Sequence, residues 1–139
     1  EQVGLLGHSN GLYLELTVTQ NVSFWASTVG ATAQEVALAM QRMKIDGRLA
    51  HFKASQLFAG QRRRCALASL IVRRESLWLL DEPHAGLDTA GQDELDAILQ
   101  SAVSSGATVV LASHETQRSR LLATRVVKVD GGLISGVES

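Results

Sequence analysis

Residues 77–88 read LWLLDEPHAGLD, an apolar run that ends abruptly in two adjacent carboxylates. Because Trp78 and the leucines around it do not alternate with polar residues, the run predicts a strand buried on both faces, as in a parallel sheet covered by helices. Pro83 is the only proline of the chain, and it prevents a regular ladder from continuing past Glu82. Ligands bind beyond the carboxyl ends of such strands, so Asp81 and Glu82 are expected at a ligand-binding edge.

Two neighbouring carboxylates at a sheet edge need something that neutralises them, such as a metal ion, a cationic residue or a shared proton. A strand-end Asp followed by Glu is how many nucleotide hydrolases hold Mg²⁺ and position an attacking water. A surface turn with both acids in water is equally compatible with this segment alone. The rest of the chain has to decide between these two interpretations.

The composition is that of one soluble globular domain with a substantial core: 139 residues, 45% hydrophobic and 19% charged. A formal net charge of -1 argues against a nucleic-acid-binding protein. Cys65, the single cysteine, excludes an internal disulfide and is expected to fill space in the core. No apolar run approaches the length of a membrane span. The chain starts at Glu1 without a signal-peptide pattern, so we expect it to be cut from something longer.

Strands that alternate with helices predict an α/β fold with a parallel sheet. Capping-box patterns predict helix starts at Thr17, Thr32 and Thr89, each followed three residues later by Gln or Glu. Asp-Gly-Gly at residues 130–132 predicts a hairpin. The predicted elements are strands at 3–7, 77–82 and 108–112, helices at 17–28, 32–43, 45–51, 60–74, 89–103 and 117–122, and a loop at 53–58.

The order of these elements resembles an ABC-transporter ATPase domain, and four motifs carry the resemblance. They are Leu57-Phe58-Ala59-Gly60-Gln61, similar to the signature loop; residues 77–82, similar to the Walker B strand with its catalytic glutamate; Ala85-Gly86-Leu87-Asp88, similar to the D-loop; and Ser113-His114, similar to the switch histidine. Each motif alone is a poor signal, but all four in this order and spacing are specific. Gly7-His8 and residues 16–22 also resemble the Q-loop and the helix after it, so the resemblance covers nearly the whole chain.

A narrower resemblance is to the haem-exporter ATPase of cytochrome c maturation. It rests on residues 6–8, 16–18 with 21–25, 59–64 and 77–83. Members of that subgroup often carry His, here His8, where other ABC ATPases have the Q-loop Gln.

The resemblance implies a P-loop NTPase-like α/β fold, in which a mostly parallel sheet has helices on both sides and a helical subdomain is added. Residues 1–139 would form a single partial domain. In it, residues 10–60 would make the helical subdomain, with the signature loop at its end. Residues 61–139 would make the core part that carries Walker B, the D-loop and the switch histidine.

The resemblance also implies ATP and Mg²⁺ as ligands and a role for each motif. Asp81 would hold Mg²⁺ through water, with His8 as a second and weaker metal candidate. Glu82 would orient and deprotonate the attacking water, and His114 would contact the γ-phosphate. The signature loop, Leu57 to Gln61, would present the amides of Gly60 and Gln61 to ATP bound on a second subunit, and Asp88 would lie at the dimer interface.

As partners, the resemblance implies a homodimer of ATPase subunits with ATP sandwiched between them, beneath transmembrane permease subunits. Nucleic acid is not an expected partner. The location would be peripheral, on the cytoplasmic face of the inner membrane of a bacterial-type cell. Residues 17–59 would dock on the permease through Phe24 and Trp25, although at least one of these is expected to be ordinary helix core. Residues 62–64, three arginines, are either cations near the triphosphate or a solvated helix face.

Two departures from the family bear on activity. No G-x-x-x-x-G-K-[ST] phosphate loop occurs in the sequence, so we expect the chain to be the carboxyl-terminal part of an ATPase domain, inactive alone. The missing strand would leave an unpaired apolar edge beside residues 108–112. Phe58 stands where the family usually has Ser, and it cannot make the hydroxyl's hydrogen bond to the γ-phosphate, so weakened hydrolysis is expected.

Two other functions remain open. A non-catalytic regulatory or interaction domain would keep the fold without turnover, which Phe58 and the absent phosphate loop favour. A DNA-associated ABC ATPase is less favoured, because the chain has neither long heptad coiled coils nor basic tracts.

Overall fold

In the computed structural model, which describes residues 3–139, strands and helices follow one another in the predicted order. The helices are α1 (Val18–Thr28), α2 (Ala33–Arg42), α3 (Ala59–Arg73), α4 (Thr89–Ser104) and α5 (Thr116–Leu122). The strands are β1 (Val3–Leu6), β2 (Leu77–Asp81), β3 (Thr108–Ala112), β4 (Val126–Asp130) and β5 (Leu133–Glu138). The predicted short helix at 45–51 is a 3₁₀ turn at Gly47–His51, and the predicted loop at 53–58 contains another at Ala54–Gln56.

Strands β1, β2 and β3 form a parallel sheet in that order, and β4 pairs with β5 in an antiparallel hairpin. Leu6 lies opposite Leu80, and Asp81 lies opposite Ala112, so the three parallel strands end at the same edge. The segments that follow these strands therefore meet at that edge, where ligands of open α/β sheets bind.

One face of the parallel sheet is covered by helices, and the other is open in residues 3–139. Trp78 and Leu80 are 4% and 3% exposed, whereas Leu79 between them is only half-buried. On the open face, Leu5 and Val110 flank Leu79 and are 68% and 55% exposed. The prediction that this strand is buried on both faces is therefore wrong within the described residues. As expected, β3 forms an edge of the sheet, with β2 as its one partner strand there.

Helices α1 and α2, which belong to the predicted helical subdomain, pack against each other and against α3. Val22 of α1, Met40 of α2 and Leu67 of α3 belong to one buried cluster that continues to Trp78 in the sheet and Leu95 in α4. Helices α1 and α2 and the sheet thus share one core, because the apolar side chains of α3 pack against both. The proposed boundary near residue 60 remains a prediction.

Two of the three predicted capping boxes form. Gln20 donates its N–H to Thr17 Oγ1 over 3.1 Å and accepts the Thr17 N–H at 2.9 Å, and Thr32 makes the same exchange with Glu35. The third prediction is wrong by one residue, because Asp88 rather than Thr89 caps α4. Its Oδ1 accepts the N–H of Gly91 over 2.9 Å.

Three smaller predictions can also be checked. Cys65 is fully buried, and burial raises the pKa of its thiol to about 12, which confirms it as core filler. Gly131 and Gly132 have φ of 55° and 80°, as a two-residue turn between β4 and β5 requires. Within residues 3–139, no helix combines the length and the apolar character needed to cross a bilayer.

Candidate active site at the carboxyl edge of the sheet

The end of β2 carries the two carboxylates on different backbone conformations. Asp81 is the last residue of the strand and is exposed, whereas Glu82 adopts φ of 45°, in the left-handed region. The Glu82 N–H still donates to the carbonyl of Ala112 over 2.9 Å, so the turn starts directly from the sheet. A left-handed conformation at a non-glycine residue costs roughly 1–3 kcal/mol and is concentrated at functional sites.

The side chain of Glu82 is held by the segment that follows β3. Its Oε1 accepts the backbone N–H of His114 over 2.7 Å, and the His114 Nε2 lies 3.6 Å from the same oxygen. The Ser113 hydroxyl donates to Oε2 over 3.4 Å. The His114 ring is fully exposed, while the Glu82 side chain is 32% exposed. The structure therefore brings together the two predicted catalytic residues, with a free imidazole facing outward.

Arg63 of α3 is buried, and its guanidinium binds the segments that follow β1 and β2 at this edge. Its Nη2 donates to the carbonyls of Asp81 and Glu82, each over 2.7 Å. Its Nη1 donates to the carbonyl of Gly7 over 2.9 Å and to Asn10 Oδ1 over 3.1 Å. Burial lowers the pKa of Arg63, and the negative charges of Asp81 and Glu82 oppose that shift. Arg63 thus connects α3 to the turn that carries Glu82 and to the loop that follows β1.

The neighbouring arginines are also engaged within the chain. Arg62 donates to the carbonyls at 54–55, each over 3.0 Å. Arg64 donates to the carbonyl of Met43 over 3.1 Å and to Asp88 Oδ1 over 2.7 Å. The interpretation of residues 62–64 as a solvated face is therefore wrong, because each guanidinium bonds a separate segment of the chain.

The predicted signature loop leads into the first turn of α3. Leu57 is buried, Phe58 is 80% exposed, and Ala59, Gly60 and Gln61 form the first turn. The Gln61 Oε1 accepts the N–H of Phe58 over 2.9 Å. The amides at 59–61 lie where a helix offers no intrahelical acceptor, so they are available to an anion.

Gly60 packs against the backbone of the D-loop segment in the same chain. A Cβ placed on Gly60 would lie 2.8 Å from the carbonyl oxygen of Gly86, a distance that real Cβ atoms do not reach. Gly86 itself has φ of 75°, which favours glycine. The absence of a side chain at Gly60 therefore allows the predicted signature loop to touch the predicted D-loop.

Asp88 has partners inside its own chain. Besides capping α4, it forms an ion pair with Arg64 at 2.7 Å. The hydrogen bond from the Gly91 backbone, with the charges of Arg64 and Lys44, lowers the pKa of Asp88. Its expected place in a dimer interface remains a prediction.

His8 is exposed in the loop after β1, and Asp81 is exposed at the end of the neighbouring strand. In the described part of the chain, no group of three or more His, Cys, Asp or Glu side chains could hold a metal ion. Mg²⁺ is normally bound through one or two carboxylates, waters and substrate phosphates, so an exposed Asp81 fits this ion without a complete protein cage. The roles of Asp81 and His8 as metal-binding residues remain predictions.

Sequence reasoning missed the buried role of Arg63 and a polar cluster formed by His84, Asp96 and Arg118. A signal for Arg63 was available. It lies four residues before Leu67 and seven before Leu70, which puts it on the buried face of α3. No comparable signal marks Asp96 or Arg118, because their partners come from other elements.

A family described as "ABC transporter" matches residues 1–85. The chain is 38% identical over 114 residues to the "Cytochrome c biogenesis ATP-binding export protein CcmA" of Bradyrhizobium diazoefficiens, a match that covers 82% of this chain and 56% of the relative. The protein of the same name from Nitrobacter hamburgensis is 38% identical over 118 residues, with 82% and 57% covered. The chain thus spans about half the length of these curated relatives.

Solved structures share the fold. A dimeric post-hydrolysis state of the ATP-binding cassette MJ0796 with ADP and Pi has a TM-score of 0.88 at 23% identity, and the match covers 99% of this chain and 62% of that one. An ATP-binding subunit of an ABC transporter has a TM-score of 0.90 at 19% identity, with 99% and 59% covered. At these identities the likeness concerns the fold alone.

Proposed function

Because this chain belongs to the ABC transporter family, we propose that it carries the catalytic carboxylate, the signature loop and the switch histidine of a subunit that hydrolyses ATP to drive transport. The observation that carries the proposal is the contact between Glu82 Oε1 and the His114 backbone N–H, at 2.7 Å, on the edge where parallel strands present ligands. The Glu82 side chain is 32% exposed, so its carboxylate can be reached by a water while this contact holds it.

In this proposal each residue of the edge has a separate task. Glu82 orients the attacking water and takes its proton, and His114 contacts the γ-phosphate with its exposed ring. Asp81 holds Mg²⁺ through water, with His8 as a weaker candidate for the same ion. When bound, Mg²⁺ supplies charge neutralisation of the phosphate oxygens.

The signature loop, residues 57–61, would act on ATP bound by a second copy of the subunit. The first-turn amides of Gly60 and Gln61 suit an anion, and the helix dipole of α3 adds to their effect. Asp88 would lie beside the same interface. Phe58 supplies no hydroxyl for the γ-phosphate, so we propose hydrolysis that is weaker than with Ser at this position.

ATP hydrolysis of this kind uses a phosphate loop, and no G-x-x-x-x-G-K-[ST] occurs in the 139 residues. We propose that a preceding segment supplies it and that the chain alone does not hydrolyse ATP. The chain covers 56% of its relative from Bradyrhizobium, which is compatible with this division. The chain together with such an amino-terminal segment is called the completed protein below.

The relatives' printed name, a cytochrome c biogenesis ATP-binding export protein, agrees with the resemblance to the haem-exporter ATPase, and that resemblance suggests the transported molecule and the partners. We propose that ATP hydrolysis drives haem export or haem delivery. The subunit would work as a homodimer docked on transmembrane permease subunits, peripheral on the cytoplasmic face of the inner membrane. Phe24, 43% exposed and in edge-to-face contact with Tyr13 and Trp25, is the candidate docking residue. Trp25 is partly buried against the core.

A second candidate is a non-catalytic domain of the same fold, and Phe58 is the specific observation that favours it. An exposed aromatic ring occupies the start of α3 where a hydroxyl is usual. A DNA-associated ATPase is not supported by any described surface, and we propose no nucleic-acid partner.

The testing experiment measures MgATP binding and hydrolysis by the 139-residue chain and by the completed protein. We expect neither for the chain alone and both for the completed protein. Glu82→Gln should keep ATP bound and lower kcat by at least about 100-fold. Glu138→Gln, which alters an exposed carboxylate of the hairpin, is the matched control. Binding without turnover in the unmodified completed protein would support the non-catalytic domain instead.

A further inference from the structure

Asp96, in the middle of α4, uses its two carboxylate oxygens on two different segments of the active-site edge. Oδ1 bonds the Nε2 of His84 over 2.6 Å, and Oδ2 bonds the Nη1 of Arg118. His84 lies in the turn after Glu82, and Arg118 lies in the helix after His114. The carboxylate of Asp96 therefore contacts both segments that carry the candidate catalytic residues.

The His84 side of this cluster anchors the Glu82 turn. The Ala85 N–H donates to the carbonyl of Glu82 over 3.1 Å, and the Leu87 N–H donates to the carbonyl of His84 over 3.2 Å, so the backbone folds back twice in succession. The His84 ring is 2% exposed and lies beneath this turn. Its Nδ1 has no hydrogen-bond partner among the described residues. Because a carboxylate only accepts, the contact with Asp96 is a hydrogen bond donated by Nε2–H.

The Arg118 side anchors the His114 segment. Helix α5 is seven residues long and has no buried residue, so apolar packing contributes little to its position. Arg118 pairs with Asp96 and, at 3.1 Å, with Asp93, and both carboxylates belong to α4. Arg120 on the same helix pairs with Glu138 at 3.3 Å, which connects α5 to the hairpin rather than to α4. Arg118 is therefore the charged link between α5 and the body of the domain.

We propose that Asp96 is a positioning residue that sets the distance between Glu82 and His114, by holding the Glu82 turn through His84 and helix α5 through Arg118. The inference rests on the proposed ATP hydrolysis, and it assigns Asp96, His84 and Arg118 a part in it without contact to nucleotide. Glu82 and His114 both follow the last paired residues, Asp81 and Ala112, and the Glu82 N–H still donates to the carbonyl of Ala112. Asp96 on α4 connects the two segments a second time, through contacts that do not involve the exposed His114 ring.

The prediction concerns kcat rather than nucleotide binding. A displacement of about 1 Å between reacting groups can lower a rate by about 100-fold. None of the three residues belongs to the loops proposed to bind ATP, so the Kd for MgATP should change less than twofold. A variant that merely destabilised the domain would lower kcat and the active fraction together, and it would be recognised by active-site titration.

The central variant is Asp96→Asn in the completed protein. An amide has one acceptor oxygen where a carboxylate has two, so the amide oxygen can accept from Arg118, but the contact with His84 then needs the amide NH₂ as donor and the opposite tautomer of the ring. We expect kcat to fall by about 10- to 100-fold. Hydrogen exchange of residues 113–122 should become faster, since α5 loses its link to α4. This second measurement does not depend on ATP turnover.

Two control variants test whether an effect on kcat comes from the Asp96 bridge between His84 and Arg118 or from the loss of any charge in this region. Asp93→Asn removes an Arg118 partner that has no contact with His84, and its kcat should stay within about threefold. Arg120→Gln removes a charge from the same helix and should leave kcat unchanged.

A double-mutant cycle gives the sharpest test. If Asp96 bridges the two segments, the effects of His84→Gln and Arg118→Gln on kcat are not additive, because either change already breaks the bridge. Additive effects, or an unchanged kcat in Asp96→Asn, would overturn the inference while leaving ATP hydrolysis intact. If the unmodified completed protein does not hydrolyse ATP, the proposed function fails first, and this inference fails with it.

Discussion

His114 donates its backbone N–H to Glu82 Oε1 over 2.7 Å, while its ring stays fully exposed with Nε2 at 3.6 Å from the same oxygen. The backbone contact fixes the carboxylate, and the ring is free to reach a ligand. His114→Ala keeps the backbone bond and removes the ring. In the completed protein we expect kcat to fall by about 100-fold while the Glu82 turn stays intact.

Steady-state hydrolysis and hydrogen exchange of residues 81–86 measure these two effects separately. Faster exchange in that turn would mean that the ring acts on the structure of the site rather than on the phosphate.

Arg63 gives the second prediction. Its guanidinium spans four acceptors on two segments, which a lysine ammonium cannot reach together. Arg63→Met should lower the free energy of unfolding by about 3 kcal/mol, because carbonyls at the buried edge lose their donors. Arg63→Lys should recover part of that stability and little of the kcat. Urea unfolding measures the stability, and ATP hydrolysis by the completed protein measures kcat. If Arg63→Lys recovered stability and kcat equally, a positioning role for the guanidinium would be contradicted.

Phe58→Ser is the third prediction. The ring is 80% exposed, so its removal costs almost no packing. A serine at this position could accept the Gln61 N–H while Gln61 Oε1 continues to accept the backbone N–H of residue 58, which completes a capping box. We expect about 1 kcal/mol of added stability and a higher kcat in the completed protein. Phe58→Ala is the control, since it removes the ring without adding a hydroxyl. If both variants had the same kcat, the increase would come from removing the ring and not from the serine hydroxyl.

Asp88 gives a pH-dependent prediction. Because its pKa in the folded chain lies below the ordinary value, its ionised form stabilises the fold above the unfolded-state pKa, about 3.9, and that contribution is lost as the pH falls through the folded-state pKa. Asp88→Asn keeps a capping oxygen but loses the ion pair with Arg64. The variant should therefore be less stable than the unmodified chain at pH 7, and the difference should shrink as the pH falls through the lowered folded-state pKa of Asp88. Urea unfolding at several pH values tests this, and a difference that stays constant as the pH falls would exclude ionisation as the cause.

The features that the sequence predicted correctly depend on local patterns. Thr17 with Gln20 and Thr32 with Glu35 form caps from residues three positions apart, and an apolar run that stops at Asp81 marks a sheet edge. The α4 cap was placed one residue late because Asp88 and Thr89 are adjacent candidates. Asp88, the residue that caps the helix, also pairs with Arg64, which lies 24 positions away in the chain.

Long-range contacts explain the remaining differences. The helical spacing puts Arg63 on the buried face of α3, but its carbonyl acceptors lie up to 56 positions away in the chain, and no local pattern contains them. The open face of β2 could not be anticipated either, because a run of Trp and Leu is the same whether one sheet face or both faces are covered. The specific motifs, in contrast, were sufficient for the family, since their order and spacing do not depend on packing.

Gly60→Ala separates the two reasons for glycine in the signature loop. In an ordinary helix the change would stabilise by up to about 1 kcal/mol. Here the methyl would lie 2.8 Å from the Gly86 carbonyl oxygen, so the two backbones must separate. We expect a net loss of about 1–3 kcal/mol in urea unfolding of the chain without any nucleotide. Gly7→Ala is the control, since its added Cβ meets nothing closer than 3.9 Å and should change stability little. If Gly60→Ala were as stable as the unmodified chain but hydrolysis were lost in the completed protein, glycine would be needed at this position for the nucleotide and not for the contact with Gly86.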